Sequence, residues 1–199
     1  MKHFFVALLA GVLALSAGLA AAQQKTQRIR GTISAFDGKM LTVKSRDGKD
    51  LSIELKEKAS VAAAKAIALA DLKQGDYVGA TTLKRADGTL VALEVHTLPP
   101  AVAPGHRPWD LEPGSMMTNA NIESVVQSVG GQEVRLVYKD GSQTILVPPG
   151  TPVVTQVAAD RTYLKPGEFV FLNADVGADG KLSTAARIQV SHGGVKPPQ

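Results

Sequence analysis

Of the 199 residues, 44% are hydrophobic and 20% charged, and 22 lysines and arginines against 18 acids leave a formal charge of +4. These proportions exclude a disordered chain, and a positive charge spread without any long Lys/Arg cluster argues against a nucleic-acid partner. The chain has no cysteine, which excludes disulfides, thiolate metal sites and thiol nucleophiles and leaves the fold to rest on its apolar core.

Met1, Lys2 and His3 precede an almost wholly apolar run from Phe4 to Leu19, closed by Ala20, Ala21 and Ala22. A charged start, a short apolar stretch and small residues ahead of Gln23 form the pattern of a secretory signal peptide over 1–22. The mature chain is therefore expected in the periplasm or outside the cell after cleavage near Ala22, with no transmembrane anchor.

Alternation of apolar and polar residues then predicts five strands. Arg28 to Phe36 turns at Asp37-Gly38 into a second strand, in which Leu41 and Val43 share a face. Asp47-Gly48 supplies the next turn, because glycine accepts positive φ and the aspartate caps its own backbone. Leu51, Ile53 and Leu55 alternate with polar neighbours, and Val78 to Leu83 and Leu90 to Leu98 flank the turn at Asp87-Gly88. Between the third and fourth strands, Ser60 could cap an alanine-rich helix ending near Leu72, since alanine has the highest helix propensity.

The second half repeats the first. Leu72-Lys73-Gln74-Gly75-Asp76-Tyr77-Val78 recurs as Leu164-Lys165-Pro166-Gly167-Glu168-Phe169-Val170, 92 residues on, and Asp47-Gly48 recurs as Asp140-Gly141 at 93. The proline-rich insert from Pro148 to Gly167 reads as loop with at most one helical turn. The expected fold is mainly β: two tandem small OB-like β-barrel domains, 23–99 and 122–192, the first with its short Ala-rich helix between strands three and four. A Pro/Trp-containing strap, 100–121, joins them, and 193–199 forms a flexible tail. Each unit is small for an independent core, so one continuous double barrel or sandwich is the alternative arrangement.

The run of Gly31, Ile33, Leu72, Lys73, Gly75, Asp76 and Val78 resembles a small exported bacterial domain family of unknown function. In the second unit Ile122-Glu123-Ser124 replaces the opening glycine, and Glu168 stands for the aspartate. The resemblance implies a tandem barrel fold; its motifs are turns and core positions, and it brings no catalytic residues.

Asp47, Asp87, Asp140 and Asp179 each precede a glycine, and a turn explains all four. The chain lacks Gly-x-Ser-x-Gly and His-Glu-x-x-His, so the expectation is a non-enzymatic binding or structural protein of the envelope, an enzyme of unknown class being the remote alternative. No cofactor is expected, with copper or zinc as the exception. His96, His106, Met116, Met117 and His192, with Asp110, carry donors suited to those ions. An envelope protein, a cell-wall component or a metal ion are the candidate partners. The strap holds the single tryptophan and two of the four methionines; Trp109 and Leu111 are expected to pack where the units meet, since exposing them gains nothing.

Overall fold

A computed structural model describes residues 25–198; the expected signal peptide lies outside them. Thirteen strands follow in chain order: β1 (Thr26–Phe36), β2 (Met40–Ser45), β3 (Asp50–Glu54), β4 (Ser60–Ala66), β5 (Tyr77–Lys84), β6 (Leu90–Thr97), β7 (Gly105–Pro108), β8 (Met116–Ser128), β9 (Gly131–Tyr138), β10 (Gly141–Val147), β11 (Val153–Ala159), β12 (Phe169–Val176) and β13 (Leu182–Val190). Two single 3-10 turns, Leu69–Asp71 and Arg161–Tyr163, precede β5 and β12. No helix among the described residues is long and apolar enough to cross a membrane.

The strand pairs close two circuits. In the first barrel, β1 pairs with β2, β2 with β3, β3 with β13, β13 with β12, and β12 with β1. In the second, β8 pairs with β9, β9 with β10, β10 with β6, β6 with β5, and β5 with β8. Each barrel therefore takes three strands from one repeat and two from the other. The expectation of two tandem units, each closing on its own strands, is corrected: neither 23–99 nor 122–192 forms a barrel alone. β4 and β11 are the crossing points. They pair antiparallel with each other, and each also pairs with a strand of the barrel that holds the first three strands of its own repeat, β4 with β13 and β11 with β6.

The Ala-rich helix is also corrected. Ser60–Ala66 is a strand bonded on both edges, so its amides and carbonyls are satisfied without a helix. Its alanines answer to space. Val61 and Ala63 turn into the first barrel's core, while Ala62 and Ala64 face outward beneath a hydrogen bond that Gln156 of β11 donates to Gln189 of β13 across the top of β4. Larger side chains would not fit under that bridge. The proline-rich insert, expected as loop with at most one helical turn, contains β11 as well as the turn Arg161–Tyr163, where the Asp160 carboxylate accepts the amide N–H of Thr162.

Two separate cores result. Ile29, Ile33, Leu41, Val43, Ile53, Leu172 and Ile188 fill the first barrel, and Val78, Val95, Ile122, Val134, Leu136 and Ile145 the second. The exchange is written into the backbone. The amide of Ile33 donates to Glu168 and that of Gly167 to Ile33, while the amide of Ile122 donates to Asp76 and that of Gly75 to Ile122. The repeated Gly-Asp/Glu step thus clamps the first strand of the opposite repeat.

Candidate functional site

The outward faces of the exchanged strands meet in a cleft of about 850 Å³ between the barrels. On the second barrel's side, backbone register aligns two rows of side chains. His96 of β6, Gly79 of β5, Asn119 of β8 and Gly105 of β7 are successive partners, and the next row is Glu94, Thr81, Met117 and Arg107. On the first barrel's side, Gln189, Phe171 and Arg30 form the matching row, with Asn173 and Arg28 beyond.

Gly79 has a specific reason to be glycine. A Cβ there would lie 2.4 Å from Nε2 of His96, so its absence gives the imidazole room to lie across β5. His96 is only 6% exposed, and its Nδ1 is buried without a hydrogen-bond partner among the described residues. Burial pushes the His96 pKa down to about 4, so the ring is neutral at neutral pH. Glu94, also buried, accepts a hydrogen bond from Thr81 at 3.1 Å and approaches Nδ1 of His96 at 3.8 Å.

The strap forms the rim. After β7 it turns at Gly114, closed by hydrogen bonds between Trp109 and Ser115 and between Glu112 and Ser115. It then reaches over the first barrel. Arg46 donates to the carbonyls of Leu111 and Asp110, and the half-buried Trp109 ring has the Arg28 guanidinium 4.1 Å from its centroid. Asp110 pairs with Arg30 at 2.9 Å and Arg28 at 3.2 Å. Burial works to raise the Asp110 pKa, but the hydrogen bonds and charges of Arg30 and Arg28 outweigh it and hold the carboxyl below its usual value. Arg107 lines the cleft with no ion pair among the described residues.

The five proposed metal donors do not meet. His96 and Met117 line the cleft. Met116 and His106 face the other side of β7 and β8, where Nδ1 of His106 lies 2.8 Å from the Thr118 hydroxyl. The His192 ring rests on Tyr163, 5.1 Å between centroids. Among the described residues no three His, Asp or Glu side chains are grouped to hold a metal ion. Trp109 and Leu111 sit in the strap where it crosses onto the first barrel.

Sequence reasoning singled out His96 but missed Gly79, Arg28, Arg107, Asn119, Gln156, Asn173 and Gln189. They come from seven strands, and their proximity follows from the exchange. The available signal was the divergence of the repeats at outward positions, Gly79 against Phe171 and His96 against Gln189. Comparison with protein-family models, with characterised proteins and with solved structures finds no match to this chain.

Proposed function

We propose that this chain is an exported, non-enzymatic binding protein whose cleft takes a small organic anion bearing hydroxyl or amide groups, such as an acidic sugar of the cell wall. The carrying observation is the make-up of the cleft. Side-chain amides of Gln27, Asn119, Gln156, Asn173 and Gln189 converge there with two arginines, Arg28 and Arg107, against one carboxylate, Asp110, and with the rings of Trp109 and Phe171. Amides both donate and accept, which suits hydroxyl and acetamide groups. An arginine free of a carboxylate partner suits an anion, and aromatic faces suit the apolar side of a sugar ring. Export rests on the leader-like segment read at the N-terminus.

The test is thermal melting of the mature protein, 23–199, with N-acetylmuramate, glucuronate and neutral N-acetylglucosamine. A ligand specific to the native state stabilises it by about 2.7 kcal/mol at one hundred times its Kd. The acidic sugars should raise Tm saturably, and Arg107→Ala should abolish the shift. Absence of any shift with either acid would sink the proposal.

A further inference from the structure

The duplication supplies an internal comparison at the barrel mouths. Arg161, first residue of its 3-10 turn, donates from its guanidinium to the carbonyls of Gly38 at 2.9 Å, Lys56 at 2.9 Å and Glu57 at 3.1 Å. It thereby ties the turn to the first barrel. The residue 92 positions earlier is Leu69, first residue of the other 3-10 turn. Lys56 and Glu57 correspond to Pro148 and Pro149, and the local backbone agrees: Ala59 donates to the Lys56 carbonyl as Thr151 donates to that of Pro148.

At the second barrel the place of the guanidinium is a groove of about 560 Å³, lined by Ile67, Leu69, Gln132, Val147, Pro148 and Pro149 among others. Among the described residues no lysine, arginine or histidine lines it. Its lining includes acceptors left without donors. Two successive prolines have carbonyls and no N–H, the Pro149 carbonyl accepts no hydrogen bond from a described residue, and Oε1 of Gln132 is buried without a partner. A buried acceptor left unpaired costs free energy that a donor would recover. The carboxylate of Asp71 stands at the end of the adjoining turn. Apolar walls and an acceptor-rich end match an arginine side chain, whose methylenes pack on apolar surface while its planar head offers five N–H groups.

We propose that this groove receives an arginine side chain of a partner polypeptide, the guanidinium bonding the Pro148 and Pro149 carbonyls and Oε1 of Gln132 as Arg161 bonds its own carbonyls in the first barrel. The site is separate from the cleft, so the two readings fail independently. The experiment is NMR titration of the isotope-labelled mature protein with N-acetylarginine methylamide and with its lysine and norleucine counterparts. The arginine derivative should shift amides at 67–71, 127–132 and 147–151 saturably, the lysine derivative more weakly, and norleucine not at all. No saturable shifts there, or equal shifts with norleucine, would overturn the proposal. Leu69→Arg should carry its own guanidinium into the groove and abolish the shifts; undiminished binding by that variant would count against the site. Should that variant fail to fold, Gln132→Leu tests the same point, with affinity expected to fall about tenfold on losing a charge-assisted hydrogen bond.

Discussion

The two barrels are the same in what they bury and different in what they turn toward each other. Leu41 and Val134, Val43 and Leu136, Ile53 and Ile145, Leu72 and Leu164, and Val78 and Val170 occupy matching positions and are all buried. On the outer face of the same strands, Gly79 stands against Phe171, His96 against Gln189, and Asn119 against Arg30. Packing fixes the inward set, because either barrel loses stability if a volume changes. The outer set packs against the cleft rather than inside a barrel, and there one barrel has a neutral buried imidazole and the other a pair of arginines.

Four experiments break or sharpen this contrast. The largest effect is expected from the shared interior: Leu172→Ala in the first barrel and Leu136→Ala in the second should each cost about 2–5 kcal/mol. Because every barrel contains strands of both repeats, calorimetry should show one transition that either substitution lowers, and two resolved transitions would contradict the exchange. Next comes pH. His96 has its folded pKa depressed to about 4 from 6.5, so the unfolded chain binds the extra proton, and stability should fall on acidification from about pH 6.5 to about pH 4, by at most about 3 kcal/mol. His96→Gln, which copies Gln189, should reduce the slope of urea-derived stability across that window, leaving the part due to His106, whose pKa burial also lowers; Asp110, whose carboxyl is held low, contributes its loss only below the usual carboxylate range.

A pair of glycines gives a smaller effect. A Cβ at Gly31 would lie 2.2 Å from the Lys44 backbone carbonyl oxygen, whereas one at Gly79 meets the His96 side chain. Gly31→Ala should cost about 1–3 kcal/mol in denaturant. Gly79→Ala, able to push the ring aside, should cost less and weaken ligand binding in the cleft. The smallest effect is expected at Trp109→Ala, about 0.5–2 kcal/mol, because the ring is half-exposed and rests on guanidinium faces rather than inside a core. A loss as large as that of Leu136→Ala would show that the strap is part of the fold's interior.

Strands such as β2 and β3 were legible because their outer faces are open, which imposes alternation, and aspartate-glycine pairs mark the turns at 37–38, 47–48, 87–88 and 179–180. Ser60–Ala66 was not, since both of its faces are covered and its alanines carry the helix signal of a segment that small residues fill for steric reasons. The exchange was illegible for a deeper reason. Val78 and Val170, or Leu72 and Leu164, are interchangeable as partners for either first strand, so hydrophobic pattern cannot say which copy supplies them. The cleft inherits that limit: Arg28, Asn119 and Gln189 stand far apart in the chain, and only knowledge of which strands cross brings them together.

The exchange also sets how the molecule must fold. Thr26 of β1 pairs with Asp175 of β12, so the first barrel cannot close until nearly all of the chain is available. Contacts at such separation form slowly. Meanwhile β5 and β6, adjacent in sequence and carrying matching inward residues, offer β1 to β3 a faster and incorrect closure. Refolding of residues 23–199 is expected to be slow for their number, with a phase reporting escape from that self-closed form. At high protein concentration a second molecule presents the same β12–β13 edge, and entangled dimers become the competing product.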